Sequence, residues 1–492
     1  MNCVAFDLGG SGGKLFRGHF DGSCLSLSEV HRFENGAIQL GQGLYWDFLS
    51  IWKNLCIGLQ KAGREGSFSS LGIDAFCNDF GFIDAAGRLL GPIHSYRDPR
   101  TIRCSDAIYR KTASDMLYRE TGNQTAPFST LMQLSAMRIE GDDLLMDTAD
   151  QLLFVPDLMA YYITGQRMAE HTLCSVTQMR RADGSAWSTG ILNAHNIPHK
   201  LFAPVVDPGT VSGKATAQFQ SDWNVGAFDF VSVCEHDTAS AFLALPGNED
   251  RAIISSGTWA IVGCETKEPV ISDYGFRYNF ANEGSLPGHN RLLRNVMGTW
   301  ILQELRAEYA ASGKMYDYGQ LVELAAESEP FAFLIDVDHE DFYSPGNMRE
   351  KIQKHCWARH SGIPETPGQL VRCICESLAI KYRYSIERLE KLAGRTFPAI
   401  SIIGGGARDA LTCLMTASVC GKPVIAGPTD ATALGNILVQ LLAHGEIASV
   451  EQGRDLIAKS FQFTEYAPSD CSVWDEIYQG FMDHFHLSSA EA

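Results

Sequence analysis

The sequence lacks the long apolar stretches that membrane insertion requires. Its 492 residues contain no run of about 18 consecutive apolar residues, whereas a bilayer-spanning helix needs about 20. The first ten residues also lack the basic segment and apolar stretch of a secretory signal. We therefore expect a cytoplasmic protein with no membrane span.

Positive charge is scarce relative to negative charge. The 40 Lys and Arg residues face 58 Asp and Glu residues, for a net charge of -18 at pH 7. A protein that binds duplex nucleic acid needs clustered cations to neutralise the phosphates. The charge balance argues against a nucleic-acid partner.

Paired cysteine motifs are also missing. The 14 cysteines are scattered, no C-x-x-C pair occurs, and Cys373 and Cys375 are the nearest two. This spacing favours free thiols in a reducing compartment over a disulfide framework.

The chain is long enough for two hydrophobic cores, so we expect two domains. Residues 244–250 read as a linker, which predicts domains at 1–244 and 245–492. Each predicted domain contains a strand, a turn of small residues and a second strand, at residues 3–16 and 252–262. This repetition suggests a duplicated fold that holds one polyphosphate.

The first of these turns is rich in glycine. Its candidate ligand residues, with the two flanking charged residues, are Asp7, Gly9, Gly10, Ser11, Gly12 and Lys14. Glycine lets backbone N–H groups approach an anion closely. The spacing fits neither the Walker A loop nor the dinucleotide fingerprint. What remains is a phosphate-facing hairpin whose Asp7 is suited to a magnesium-bound water, or an ordinary glycine hairpin.

Residues 231–240 place an apolar run directly before Glu235, His236, Asp237 and Thr238. A strand that carries a carboxylate to its carboxyl end is a common way for α/β enzymes to present a catalytic acid or base. Asp237 is therefore a candidate base. The alternative is that Asp237 or Thr238 only caps the helix that follows.

A triple glycine, Gly404, Gly405 and Gly406, follows a predicted strand at residues 399–403, and a helix is predicted to start at residue 407. Bare backbone before a helix amino terminus suits a phosphate or a flat ring. Tight packing of strand against helix is the other explanation. Apolar spacing predicts two further helices, over residues 45–59 and over residues 370–389 with an end near Gly394.

Taken in order, these segments resemble the FGGY family of carbohydrate kinases over nearly the full chain. The matching segments are DLGGSGGK at residue 7, YWD at 45, GIDAFCNDF at 72, YRDPRT at 96, VPDL at 155, EHDTASA at 235, SSGTWA at 255, NVMGTWILQE at 295, GGGARDAL at 404 and AGPTDATALGNILVQ at 426. The resemblance implies an α/β fold of two ribonuclease-H-like domains, of the actin-like ATPase type, around a central cleft.

The activity implied by the resemblance is ATP-dependent phosphorylation of a ketose at its primary hydroxyl, with Mg²⁺. L-Rhamnulose is the expected ketose. Another ketose, such as L-fuculose, a ribulose or a xylulose, and a non-catalytic sugar-binding protein of the same shape are the alternatives. The partners would be the sugar and ATP, and an oligomer is compatible with the sequence.

The resemblance also implies residue roles. Asp237 would be the general base and Asp7 the acidic residue near the metal. The implied sugar-side residues are Phe76, Cys77, Asn78, Asp79, His236 and Thr238. The implied nucleotide-side residues are Gly9, Gly10, Ser11, Gly12, Lys14, Gly257, Thr258, Asn295, Gln303, Gly404, Gly405, Gly406 and Asp409. The chain departs from the resembled pattern at Phe76 and Cys77, where Trp and Gly are usual, at Asp409, where an amide is usual, and at Lys14, where Arg is usual.

Overall fold

The computed structural model of the protein describes residues 1–358, 362–485 and 487. Over these residues the chain is a mixed α/β structure. It forms two compact units, of which the first comprises Met1–Asn248, Glu265–Leu292 and Ala431–Phe461 and the second Glu249–Cys264, Leu293–Asp430 and Gln462–Ala492. The domain boundary that we predict after residue 244 stays a prediction.

The elements are numbered in chain order. The strands are β1 (Asn2–Leu8), β2 (Gly12–Phe20), β3 (Leu25–Glu34), β4 (Ala37–Leu40), β5 (Gly43–Trp46), β6 (Ser70–Ala75), β7 (Phe80–Ile83), β8 (Leu89–Leu90), β9 (Ile93–His94), β10 (Gln151–Phe154), β11 (Ala169–Glu170), β12 (Val205–Val206), β13 (Thr210–Lys214), β14 (Asp229–Ser232), β15 (Ala252–Ser256), β16 (Trp259–Thr266), β17 (Ala281–Gly284), β18 (Asn290–Met297), β19 (Ile400–Ile403), β20 (Val424–Ala426) and β21 (Thr464–Tyr466). The helices are α1 (Phe48–Arg64), α2 (Arg100–Lys111), α3 (Ser114–Thr121), α4 (Thr130–Glu140), α5 (Leu144–Thr148), α6 (Val155–Thr164), α7 (His171–Ser175), α8 (Thr189–Ala194), α9 (Ala217–Trp223), α10 (Asp237–Leu243), α11 (Asp273–Arg277), α12 (Trp300–Ala311), α13 (Tyr318–Ala326), α14 (Met348–Ala358), α15 (Pro367–Ala393), α16 (Ala410–Cys420), α17 (Ala431–Ala443), α18 (Val450–Ser460) and α19 (Cys471–His484). Short 3-10 turns occupy His199–Leu201, Glu340–Phe342 and Gly405–Arg408.

A six-stranded sheet organises the first unit, in the order β13-β14-β6-β1-β2-β3. Strands β1, β6 and β14 run parallel to one another, and β2 returns antiparallel to β1 through the glycine-rich turn. The apolar residues of β1 and β6, such as Val4, Phe6 and Ile73, are fully buried. Because parallel strands share a direction, the carboxyl ends of β1, β6 and β14 lie at one edge of the sheet.

Helix α17 covers β1 and β6 in this unit. Gln440 donates from Nε2 to the Val4 carbonyl at 2.9 Å and accepts from Ser70 Oγ at 2.6 Å, and all of these groups are buried. Gly72 permits this close approach, since a Cβ there would lie 2.4 Å from Asn436 Oδ1. A segment distant in sequence therefore completes the core of the first unit.

In the second unit, strands lie side by side in the order β18-β16-β15-β19-β20-β21. Strand β15 is antiparallel to β16 and parallel to β19. Helix α15 starts with a capping box formed by Thr366 and Gln369 and ends at Gly394 in the left-handed conformation. The helix predicted over residues 370–389, with its end at Gly394, is confirmed.

Two predicted helix starts are wrong. Tyr45 and Trp46 belong to β5, where they pair with β4 and β9, and α1 begins only after Asp47 accepts from the Ser50 N–H at 3.0 Å. Residues 407 and 408 complete the 3-10 turn, so α16 begins at Ala410 rather than at residue 407. In both places an aspartate cap sets the helix start, and apolar spacing does not register a cap.

The 14 cysteines all fall within the described residues, and each is a free thiol. The expectation of free thiols is confirmed. Within the same residues, the helices are too short or too polar for any of them to cross a bilayer.

Candidate active site

Three aspartates meet at the carboxyl edge of the first unit's sheet. Asp7 on β1 and Asp74 on β6 are register partners, and Ala75 pairs with His236, which places Asp237 at the next strand end. Burial raises the pKa of Asp74 well above its usual value, and the negative charges of Asp7 and Asp237 add to that rise. Asp74 Oδ2 accepts from Asn436 at 2.6 Å, while its buried Oδ1 has no hydrogen-bond partner among the residues described.

Asp237 is the first residue of α10 and remains 33% exposed at its side chain. Its Oδ1 lies 2.9 Å from His236 Nδ1 and accepts from the Thr238 N–H at 2.6 Å. Burial raises the pKa of Asp237, but the hydrogen bond and charge of His236, together with Thr238, outweigh burial and lower the pKa below its usual value. The carboxylate is therefore ionised at neutral pH and reachable by a substrate. His236 occupies the N-cap position of α10, and the Asp237 carboxylate satisfies the Thr238 N–H, which lies farther, 3.3 Å, from His236 Nδ1.

His236 lies between two carboxylates. Its Nδ1 faces Asp237, and its Nε2 is 3.6 Å from Glu283 Oε2, which is paired in turn with the fully buried Arg291 at 3.0 Å. Burial lowers the pKa of His236, but interactions with Cys77 and with Asp237 outweigh burial and raise the pKa well above its usual value. An imidazolium at this position keeps Asp237 charged.

Buried groups behind the site hold the backbone of residues 235 and 236. The Glu170 carboxylate accepts from the Thr172, Leu173 and Glu235 N–H groups, and Thr172 Oγ1 accepts from the His236 N–H at 3.1 Å. Burial raises the pKa of Glu170 to about 7. Sequence reasoning missed these residues, although Glu170 is the N-cap of the short helix α7 and Thr172 lies in its first turn.

The predicted sugar-side residues at the end of β6 divide into two groups. Cys77 is half-buried and contributes to the raised pKa of His236, and Phe76 stacks on Trp46 with ring centroids 4.4 Å apart. By contrast, Asn78 and Asp79 point inward. Asn78 Oδ1 accepts from the Thr130 N–H at 3.2 Å.

Asp79 is an internal anchor for the surrounding segments. Its carboxylate accepts from Trp46 Nε1 at 2.6 Å, from the Tyr96 N–H at 3.0 Å and from Gln133 Nε2 at 2.8 Å. The side chain is buried, which raises its pKa to about 7. Asp79 thereby fixes the positions of Trp46 and Tyr96 rather than presenting its own oxygens at a surface.

The glycine-rich turn between β1 and β2 is closed by the Gly9 N–H, which donates to the Gly12 carbonyl at 2.8 Å. Asn35 braces the turn by donating to the Gly9 carbonyl at 3.0 Å. A Cβ at Gly10 would lie 3.1 Å from the Tyr96 hydroxyl. Ser11 lies at the exposed tip, and Lys14 is the register partner of Asp7 on β2.

In the second unit, the turn between β15 and β16 meets the amino terminus of α12. The Gly257 carbonyl accepts from the Thr299 N–H at 3.0 Å, and Thr258 Oγ1 lies 3.5 Å from Gln303 Oε1. The structure thus brings together the predicted residues Gly257, Thr258 and Gln303. Asn295 lies half-buried on β18, the strand next to β16.

The three glycines after β19 have different surroundings. Gly404 has a φ of +80°, which favours glycine, and a Cβ at Gly406 would lie 2.0 Å from Ser256 Oγ. Gly405 is exposed and has open space beside it. Packing therefore accounts for Gly404 and Gly406, whereas Gly405 leaves room for a ligand.

Asp409 caps α16. Its carboxylate accepts from the Thr412 N–H at 3.1 Å and from Thr412 Oγ1 at 2.6 Å. Both carboxylate oxygens therefore already serve the helix start.

Comparison with known proteins adds two family matches. The N-terminal domain model of the FGGY family of carbohydrate kinases matches residues 3–244, and the C-terminal domain model matches residues 252–444. A rhamnulokinase from Bacteroides thetaiotaomicron is 36% identical over 480 residues, covering 97% of this chain and 98% of its own. A rhamnulokinase from Bacillus subtilis is 35% identical, covering 96% of each chain.

Solved structures match over the whole chain as well. A ligand-bound xylulose kinase from Lactobacillus acidophilus has a TM-score of 0.82 at 12% identity, covering 100% of this chain and 99% of its own. A glycerol kinase from Plasmodium falciparum, with ADP, has a TM-score of 0.76 at 12% identity, covering 99% and 97%. At these identities the likeness concerns the fold. The predicted α/β class with ribonuclease-H-like, actin-like ATPase domains is confirmed.

Proposed function

The chain belongs to the FGGY family of carbohydrate kinases, and we propose that it phosphorylates L-rhamnulose to L-rhamnulose 1-phosphate at the expense of ATP. Relatives named rhamnulokinase align over nearly the full length. The observation that carries the proposal is Asp237, an ionised and partly exposed carboxylate whose charge is maintained by His236.

Asp237 acts as the general base. It takes the proton of the sugar's primary hydroxyl while that oxygen forms a bond to the γ-phosphorus of ATP and the bond from phosphorus to the β,γ-bridging oxygen breaks, releasing ADP. The proton remains on Asp237 until product leaves. Because a lowered pKa makes Asp237 a weak base, its main contribution is to orient the hydroxyl and to accept the proton late in the transfer.

The backbone groups of Gly9, Gly10 and Gly12 with Ser11 and Lys14, and those of Gly257 and Thr258, are the proposed phosphate ligands. The N–H groups of such turns, and the amino terminus of α12, carry partial positive charge that offsets phosphate charge. Gln303, Asn295 and the open face of Gly405 are the proposed nucleotide contacts. In this proposal residues 1–244 provide sugar binding, the first phosphate turn and the base, and residues 245–492 provide the other nucleotide contacts.

The carboxylates of Asp7 and Asp74 fit a magnesium ion. Mg²⁺ takes oxygen ligands, keeps several waters and needs only one or two carboxylates, and the unpartnered buried Oδ1 of Asp74 is an oxygen in need of such a partner. When bound, Mg²⁺ would neutralise charge on the ATP phosphates. We place the reaction in the cytoplasm, in keeping with the free thiols.

ATP consumption with a panel of ketoses tests this function, using wild type, Asp237→Asn and the exposed control Asp142→Asn. We expect turnover with L-rhamnulose, a loss of about 10²- to 10⁴-fold in kcat for Asp237→Asn, and little change in either KM. The control should match wild type. Wild type that consumes ATP with none of the ketoses refutes the function, while an active Asp237→Asn refutes only the base.

Cys77 favours a second candidate substrate, since this side chain lies beside His236 where the resembled pattern has glycine. The second candidate is another ketose, such as L-fuculose, a ribulose or a xylulose. Cys77→Gly should change the KM ratios among ketoses and leave the KM for ATP unchanged. The opposite pattern would exclude Cys77 from the sugar site.

A further inference from the structure

Two histidines and an aspartate converge in the second unit, on residues that have no role in the proposed reaction. His339 and Asp341 belong to the 3-10 turn at Glu340–Phe342, with His339 as its cap, and His355 lies on α14. One donor atom from each of the three lies within 4.8 Å of the other two. His355 Nε2 is 3.0 Å from Asp341 Oδ2, and His339 Nδ1 is 3.9 Å from the same oxygen.

These distances suit a tetrahedral metal ion. Zinc bonds to imidazole nitrogen and carboxylate oxygen are about 2.0–2.2 Å long, which places neighbouring ligand atoms roughly 3.3–3.5 Å apart. The two measured separations, 3.0 and 3.9 Å, lie on either side of that range. The donor atoms of the two histidines lie within 4.8 Å of each other, so side-chain adjustment that draws them together would give three ligands, with water as the fourth.

The backbone that carries the three side chains is fixed by the core. Phe342 and Ile352 are fully buried, and the Phe342 carbonyl accepts from Trp300 Nε1 at 3.1 Å. The His355 ring lies 4.9 Å from the Phe342 ring and 4.4 Å from the His339 ring, measured between centroids. The donors are therefore held near one another without any ligand.

Asp341 is paired with a lysine of α14 that a metal ion would have to displace. Lys354 Nζ lies 3.6 Å from Asp341 Oδ2, so an ammonium already stands close to the carboxylate. The Lys354 side chain is 73% exposed and can swing into solvent.

We propose that His339, Asp341 and His355 form a binding site for a divalent transition-metal ion, Zn²⁺ above all, that ties the Glu340–Phe342 turn to α14. Two imidazoles and one carboxylate select such an ion over Mg²⁺, which prefers oxygen ligands alone. The site is distinct in residues and in ligand chemistry from the Asp7 and Asp74 carboxylates.

Calorimetric titration with ZnCl₂ tests the site, on untagged protein in excess Mg²⁺ so that the oxygen ligands of Asp7 and Asp74 are occupied. Wild type should bind one Zn²⁺ per chain. His339→Gln, Asp341→Asn and His355→Gln should each weaken this binding at least about tenfold, the scale on which even outer-shell partners act. The exposed His199→Gln serves as the control and should bind as wild type does.

Lys354→Met separates a built site from general surface binding. Removing the competing ammonium should tighten Zn²⁺ binding about twofold to fivefold, the scale of an exposed ion pair. Zn²⁺ should also raise the thermal midpoint of wild type and of Lys354→Met, but not that of the three ligand variants. Thermal midpoints measured in EDTA establish that each variant folds. If His355→Gln does not fold, His339→Gln still tests the site, because His339 is exposed.

Two results would overturn the proposal. One is the absence of stoichiometric binding in wild type. The other is equal binding by wild type and by all the folded ligand variants, which would assign the zinc to other groups.

Discussion

Asp237 and His236 show how one pair of residues can hold opposite charges in a buried setting. Burial alone would neutralise both side chains, raising the pKa of the acid and lowering that of the base. Cys77 together with Asp237 reverses the shift of His236, and the contact with His236 at 2.9 Å together with Thr238 reverses the shift of Asp237. The pair is then a charged unit whose acid oxygen still faces outward, as a proton acceptor needs.

The pKa of His195 is lowered, whereas that of His236 is raised. His195 should therefore make the stability of the protein sensitive to acid. Its ring bonds to the hydroxyls of Ser135 at 2.8 Å and Thr112 at 3.2 Å, and burial lowers its pKa to about 4. The unfolded chain, with a histidine pKa near 6.5, binds the proton first, so stability present above pH 6.5 is lost as pH falls toward 4. The loss from this residue should reach about 3 kcal/mol.

Thermal unfolding of wild type and His195→Gln at pH 7.5, 5.5 and 4.5 measures this effect. The advantage of wild type over the variant should shrink as the pH falls. The exposed His199→Gln should follow wild type throughout. A pH-independent difference between wild type and His195→Gln would contradict the assignment.

A local motif was enough to indicate where a candidate residue lies, whereas contacts made across the fold were not predictable. The order Glu-His-Asp-Thr after an apolar run indicated Asp237 as a candidate base, and the structure holds it as a charged carboxylate at a strand end. The Asp74 side chain, by contrast, is held by a hydrogen bond from Asn436, which lies 362 residues away in the sequence. No local pattern reports such a contact, and the inward turn of Asn78 and Asp79 depends likewise on partners on other elements.

At the scale of elements, α10 and α17 are in backbone contact where α10 presents Asp237. A Cβ at Gly435 on α17 would lie 1.8 Å from the Ser240 carbonyl oxygen on α10. Gly435→Ala must therefore push the helices apart, at a cost of about 1–3 kcal/mol or more. We expect a lower thermal midpoint and a lower kcat.

Gly63→Ala on α1 is the matched control, because no atom lies within 4 Å of a Cβ there. Alanine in a helix should be neutral or stabilise by up to about 1 kcal/mol. Equal effects of the two substitutions on the thermal midpoint and on kcat would show that the contact between α10 and α17 determines neither stability nor activity.

The triple glycine gives a second pair of matched substitutions. Gly406→Ala would place a Cβ 2.4 Å from Ser256 Cβ and should lower the thermal midpoint. Gly405→Ala projects into open space, so the midpoint should stay unchanged while the KM for ATP rises about tenfold if nucleotide lies there. An unchanged KM for ATP in Gly405→Ala would remove Gly405 from the nucleotide site.

Elements with strong local signals were predictable from the sequence. The two hairpins that begin at β1 and β15, and the end of α15 at Gly394, follow from apolar runs and glycine positions. The starts of α1 and α16 were misplaced because aromatic spacing and a 3-10 turn imitate helix periodicity. Aspartate caps, at Asp47 and Asp409, mark the true starts.

At the scale of the molecule, the first unit includes a late segment, Ala431–Phe461. Composition and linker signals divide a chain into consecutive segments. They do not indicate that a late segment packs back into the first unit. The segment supplies α17, whose Asn436 and Gln440 bond to buried groups of β1 and β6. The first unit is therefore expected to need it for a closed core.

Two truncations test this expectation. A chain ending at residue 461 keeps all segments of the first unit, whereas one ending at residue 430 loses α17 and α18. Limited proteolysis followed by mass spectrometry should find residues 1–248 protected in the longer chain and degraded in the shorter one, because the apolar face of β1 and β6 is uncovered there. Equal protection in both would show that α17 is dispensable.

The late origin of α17 also bears on synthesis at the ribosome. Between residue 248 and residue 431 lie 182 positions of the chain, 249–430, and translation at about 5–20 residues per second takes roughly 9–36 s to cross them. During that interval the sheet of the first unit lacks α17, so the face of β1 and β6 that this helix covers is exposed. The period of greatest exposure to aggregation, and of greatest need for a chaperone, thus falls before α17 has been synthesised.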